Sequence, residues 1–247
     1  MRIEPSVAPG VHRVEDAYTN WYLVEDGDRA LTVVDAGVPT SWGSLREALD
    51  TLGRSLDDIR GVVLTHAHFD HVGFAERARR ELGVPVWVHE DDVPLARHPL
   101  EYGHERSRLP YLRNRGALPV YVSLLRHRAL LVPGVAEVRR FRDGTLEVPG
   151  APRVVATPGH TIGHCALHLA DRDTVIAGDA VVTLDPYTGA RGPRLVARAA
   201  TADAERNLAS LDALAATGAR TVLVGHGEPW RDGAEAIVAR AREAGAA

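Results

Sequence analysis

The chain has 247 residues, 45% of them hydrophobic, and a formal net charge of −4. That length and apolar content suit one large domain with a real core and exclude a disordered chain, and the charge balance offers no basic field for nucleic acid. Cys165 is the lone cysteine, no apolar run approaches the ~18–20 residues of a membrane span, and the start MRIEPSVAPG lacks a charged head followed by an apolar core, so a soluble cytoplasmic protein without disulfides is the expectation.

In chain order, the runs VHRV, NWYLVEDG and ALTVVDAG are strand-like and separated by Asp/Gly turns, which predicts a meander. Amphipathic spacing predicts helices over Ser41–Leu52, Phe74–Leu82, Ala202–Ala216 and Ala234–Ala244. Alternation of strands and helices favours mixed α/β layers over a bundle or an all-β sandwich. A single domain over 1–247 is expected. Residues from about 92 to 135, rich in Arg, His, Pro and Tyr, interrupt the strand rhythm and are read as a helical cap insertion.

Five strand-like runs end directly in polar, glycine-punctuated tips: ALTVVDAG, GVVLTHAHFDH, RVVATPGH, TVIAGDA and TVLVGHG. In layered folds the sheet fixes position and the loop presents side chains, so tips sharing one edge would bring Asp35, His66, His68, Asp70, His71, His160, Asp179 and His226 together. His66 and His68 would diverge on a helix and converge on an extended segment, which places them at a strand end. Asp70 and His71 suit a second point a few ångströms away. The donors therefore divide into His66, His68 and His160 for one ion, Asp70, His71 and His226 for another, and Asp179 as a bridge. Three protein ligands per ion, with a position open for water, is the usual catalytic arrangement, and paired ions are a device for hydrolysis.

These pieces, VDAG, THAHFDH, TPGHTIGH, GDA and GHG in this order, resemble the metallo-β-lactamase superfamily, in its glyoxalase II and lactonase-like branch of metal-dependent hydrolases. The resemblance implies an αββα sandwich of two mixed β-sheets flanked by helices, with two divalent metal ions on one edge held by His66, His68, Asp70, His71, His160, Asp179 and His226. Zinc is the first choice, with Mn or Fe compatible with the same donors. Asp35 is implied beneath the site as an orienting group, and His164 as a loop support. Departures narrow the substrate: the sole cysteine lies off the ligand set, only 21 residues follow His226 where glyoxalase II carries a basic helical extension for glutathione, and Val182 stands where lactonases place a tyrosine.

The chemistry expected is attack of a metal-bridging hydroxide, oriented by Asp70 as catalytic group, on an ester, thioester, lactone or amide carbonyl of a small molecule. A mononuclear non-haem iron sulfur dioxygenase is the alternative, and a phosphodiesterase or RNA-processing hydrolase a weaker one. No nucleic acid or membrane partner is expected, and a homodimer through the cap is compatible with the sequence. Tyr102, His104, Arg106, Arg108, Tyr111, Arg113, Arg115 and Tyr121 of the cap, with Tyr187, Arg191 and Arg194 beyond the bridging aspartate, are the candidates for meeting an anionic or aromatic substrate.

Overall fold

The computed structural model describes residues 1–27 and 29–246. Seven strands form the first sheet in chain order: β1 (Arg2–Ala8), β2 (Val11–Asp16), β3 (Thr19–Asp26), β4 (Ala30–Val34), β5 (Ile59–Val63), β6 (Val86–His89) and β7 (Arg139–Phe141). The first four pair antiparallel and the later ones parallel. The expected meander is present with one more strand, β1, whose largely polar and exposed sequence carries no alternation to mark it. The second sheet pairs β8 (Arg153–Ala156), β9 (Cys165–Leu169), β10 (Thr174–Gly178) and β13 (Thr221–Val224) in the order β13-β10-β9-β8, while β11 (Val182–Leu184) and β12 (Arg191–Arg194) form a small ribbon.

Six helices accompany the strands among the described residues: α1 (Ser41–Thr51), α2 (Ala75–Leu82), α3 (Val93–Arg97), α4 (Leu118–Arg126), α5 (Ala204–Ala215) and α6 (Ala234–Ala244). α1 turns Trp42, Leu45, Ala48 and Leu49 inward at helical spacing. α2 stops at Gly83, which takes the left-handed conformation at φ 69°. Asp203 caps α5 by accepting from the Arg206 amide at 2.8 Å.

Period-two alternation in β3 explains the layers. Tyr22 and Val24 pack with Val34, Val63 and Trp87 against Leu167, Ile176 and Leu223 of the second sheet, while Trp21 and Leu23 pack on the other side with Trp42, Leu45 and Phe74. A third cluster places Leu211, Leu214, Ile237 and Val238 of α5 and α6 on the outer face of the second sheet. The result is helix, sheet, sheet, helix, as expected. Between β6 and β7 lie α3, α4 and several single 3₁₀ turns. No helix among the described residues is long and apolar enough to cross a membrane.

Candidate metal centre

Strand direction brings the tips together. β4 and β5 run parallel in the first sheet; β10 and β13 run parallel in the second, and β8, antiparallel to β9, shares their direction. The residues after β4, β5, β8, β10 and β13 therefore meet on one edge. Donor atoms of His66, His68 and His160 lie within 4.8 Å of one another, and so do those of Asp70, His71 and His226. The Asp179 carboxylate sits between the two groups: Oδ2 is 3.4 Å from His160 Nε2, 3.9 Å from His66 Nε2 and 3.2 Å from His226 Nε2, and Oδ1 is 3.7 Å from His71 Nε2. All seven residues expected from the sequence meet here, and all are buried.

The donor set fits metal ions on two observations. Nε2 of His66, His68, His71 and His160 and Oδ1 of Asp179 are buried without a hydrogen-bond partner, a costly arrangement unless something else satisfies them. The spacings from His66, His71 and His160 to Asp179 are too wide for good hydrogen bonds but come near that of two ligands of one ion, which at about 2.1 Å each in tetrahedral geometry stand about 3.4 Å apart.

Four of the five imidazoles, those of His66, His71, His160 and His226, are aimed by their outer nitrogens. His71 Nδ1 donates to Asp35 Oδ2 at 3.0 Å, and the Thr65 amide and hydroxyl also donate to Asp35. His66 Nδ1 donates to Thr65 Oγ1 at 3.1 Å, and His160 Nδ1 reaches Thr201 Oγ1 at 3.4 Å. His226 Nδ1 donates to the Tyr18 carbonyl at 2.7 Å. His164 keeps out of the donor set: its Nε2 accepts from the Asp179 amide at 3.0 Å and its Nδ1 donates to Thr157 Oγ1 at 2.9 Å. Asp35 and His164 thus stand where the motif reading put them.

Other contributors carried no motif. Ala17 and Tyr18, at φ 54° and 66°, form the two-residue turn between β2 and β3 without glycine or asparagine, and that strained turn holds the Tyr18 carbonyl toward His226. Asn20 and Tyr22 bind the Val224 carbonyl, which pins the end of β13 beneath the site. Asp92 accepts from the Ala67 amide, the Gly163 amide and the Thr161 hydroxyl, tying the two loops that carry His66, His68 and His160. Gly225 is required by proximity, since a Cβ there would lie 2.0 Å from Asp179 Oδ1.

Electrostatics separates the imidazoles into two kinds. Burial, reinforced by neighbouring imidazoles, holds His66 and His160 well below the usual histidine range, and burial brings His68 down to about 4, so these rings are neutral with free lone pairs at neutral pH. Burial would lower His226 and His71 too, but the carboxylates outweigh it: Asp179 foremost, with Asp70, raises His226, and Asp179, Asp35 and Asp70 raise His71. Burial alone would push the carboxyls of Asp179 and Asp70 up; the facing imidazoles, His226 and His71 chief among them, hold both below the ordinary range. The edge thus combines three neutral imidazoles, His66, His68 and His160, with two, His71 and His226, whose protons are held by ionised carboxylates, and a cation bound there would displace those protons.

Residues 14–226 match the family described as the metallo-beta-lactamase superfamily. The chain belongs to that superfamily. Among curated relatives, a probable metallo-hydrolase of Bacillus subtilis (strain 168), YflN, is 29% identical over 90% of this chain and 85% of its own length. A hydroxyacylglutathione hydrolase of Cereibacter sphaeroides is 30% identical over 66% of this chain and 48% of its own. Of solved structures, a metallo-beta-lactamase family protein from Thermus thermophilus aligns with a TM-score of 0.67 at 29% identity, covering 96% of this chain and 80% of that one. Another, crystallised in a di-iron-bound form, aligns at 0.64 and 27% identity over 91% of this chain and 95% of that one.

In this member of the superfamily the donor groups floor a cavity of about 290 Å³. Of the cap residues expected to meet substrate, Tyr102, Arg108 and Tyr121 line it, joined by Tyr187. His104, Arg106, Tyr111, Arg113, Arg115, Arg191 and Arg194 do not; Tyr111 is buried and, with Arg106, borders a separate depression, and Arg194 is bound to the Gly192 and Arg191 carbonyls. The walls are instead leucines, among them Leu100, Leu112, Leu124, Leu125 and Leu130, which the sequence reading passed over.

Proposed function

We propose that this chain is a hydrolase that holds two divalent metal ions, zinc or an ion of similar chemistry, and opens an ester, thioester, lactone or amide bond of a small molecule. One observation carries this reading: a single buried carboxylate, Asp179, stands between two three-residue donor groups, and the inward nitrogens of His66, His68, His71 and His160 lack hydrogen-bond partners among the described residues. His66, His68 and His160 would hold one ion, Asp70, His71 and His226 the other, and Asp179 both. Ions there would supply Lewis acidity and a water whose pKa falls towards about 7.

The chain's own residues do the remainder. Asp70 lines the cavity, and Thr19 Oγ1 donates to its Oδ2 at 3.4 Å, so this carboxylate is oriented to accept a hydrogen bond from the attacking water or hydroxide and align it with the carbonyl carbon. Tyr102 and Tyr187 share one hydrogen bond between their hydroxyls at 2.7 Å. One phenolic proton of the pair is thereby left for a substrate oxygen at the cavity wall, where charge develops during attack.

Metal analysis and turnover test this reading together. Close to two equivalents of Zn, Mn or Fe, with hydrolysis of members of an ester, thioester and lactone panel, are the expected results. Asp179→Ala should lower both metal content and kcat, the latter by about a hundredfold or more, because both donor groups lose their shared ligand. One equivalent of iron with sulfur-dependent oxygen uptake would replace hydrolysis by the oxidative alternative.

A further inference from the structure

The cavity has a distinctive distribution of polarity. At its floor lie the metal-facing donors; at its side, Arg108 stacks over the Tyr102 ring, its Cζ 4.1 Å from the centroid, and that ring lies 4.4 Å from the His68 ring. Arg108 is therefore one aromatic ring removed from the donor set, close enough that its charge helps depress His68. Its Nε is buried without a hydrogen-bond partner, and its guanidinium makes no ion pair with any described residue. Most other arginines near this rim have obvious solvent; this one is half-buried, faces the cavity, and leaves a five-donor fork unused. Further out, Leu112, Leu125 and Leu130 line the same cavity while remaining 65%, 65% and 55% exposed. Large apolar side chains gathered at a cavity mouth and left uncovered mark a binding surface for apolar matter. Between residues 97 and 131 seven arginines face two glutamates, against a net charge of −4 for the whole chain, so the field at this mouth favours an anion.

We infer that the substrate is an amphiphilic acyl compound: an anionic group close to the scissile bond is received by Arg108, and an apolar chain or ring runs outward along the leucines. This deepens the hydrolase reading and rests on it for the reaction, but the recognition can be measured without turnover. A carboxylate beside Arg108 takes the fork in place of the absent protein acceptor, and the leucines recover the burial they lack.

Calorimetric titration of the metal-loaded full chain with octanoate, 1-octanol and butyrate tests it, since none of the three is a hydrolysable ester. Octanoate should bind more tightly than either of the others. Arg108→Gln should weaken octanoate about tenfold or more, the cost of a lost charge-assisted hydrogen bond, and leave octanol within about twofold. Leu125→Gln, at an exposed position that folding does not need, should weaken octanoate and octanol alike. Octanoate bound equally by wild type and Arg108→Gln would overturn the anionic part, and butyrate bound as tightly as octanoate the apolar part. A protein that binds octanoate in this way yet hydrolyses nothing in the panel would retain the recognition and lose the hydrolase reading.

Discussion

His66, His71, His160 and His226 are each oriented by what the outer nitrogen touches, and those contacts decide how well each ring can serve as a ligand. Asp35 is the most heavily used of them, accepting from His71 and twice from Thr65 while adopting a left-handed backbone at φ 61°. Asparagine tolerates that backbone region, so Asp35→Asn keeps the backbone but removes the charge that fixes the His71 tautomer and exchanges one acceptor oxygen for an NH2 donor, leaving His71 Nδ1 or the Thr65 amide without its acceptor. The expected outcome is a loss of metal affinity of about 10–100-fold, measured by competition with a chromophoric chelator, with a fall in thermal stability of the metal-free protein of about 1–3 kcal/mol. Unchanged affinity would mean that His71 is held by packing alone. The clustered donor residues themselves were legible because His and Asp gathered at strand tips are chemically conspicuous. The Tyr18 carbonyl, the Thr201 hydroxyl and Asn20 were not: a backbone oxygen or a common polar side chain looks the same in sequence whether or not it faces a ligand.

Among elements, the decisive relation is between loops rather than between strands. The loop after β5 and the loop after β8 come from different sheets, and Asp92, at the start of the segment read as a cap, is what they both bind. Burial pushes its carboxyl up despite the three donors. Asp92→Ala would leave those donors without an acceptor, at a cost of about 2–4 kcal/mol, and a drop in Tm of roughly 5–15 °C is expected by scanning calorimetry. It should also weaken metal binding by disturbing His66, His68 and His160 together; a variant with wild-type Tm and affinity would show that water replaces the carboxylate fully. Helix positions were read nearly as they stand, since α1, α2, α5 and α6 each bury one stripe against a sheet. Of the arginines from 106 to 115, Arg108 lines the cavity whereas Arg106, Arg113 and Arg115 do not, because a long charged side chain can point to solvent from almost any turn.

At the scale of the molecule, two sheets packed face to face hold strand ends of common direction on one edge, and the metal donors form part of what closes that edge. Ions binding the folded form alone would therefore stabilise the whole chain. Restoring Zn or Mn to chelator-treated protein at about a thousand times Kd should add about 4 kcal/mol, or roughly 8–16 °C in Tm. The same addition should shift Asp179→Ala far less. Absence of any shift in the wild type would contradict a site built from buried, unpartnered donors.

By itself the sequence determined the mixed α/β layering and the clustering of the seven donors, since these follow from periodicity and from residue chemistry concentrated at strand ends, while the αββα order and the supporting places of Asp35 and His164 came with the family resemblance of the motifs. Only the tertiary structure decided that β1 extends the first sheet, that Asp92 and the turn at Tyr18 brace the donors, and that the cavity is walled by leucines with Arg108 beside them. The physical reason is that chemistry carried by a residue type can be read locally, whereas which face of a loop or turn meets the cavity depends on packing between segments far apart in the chain, 208 positions for Tyr18 and His226.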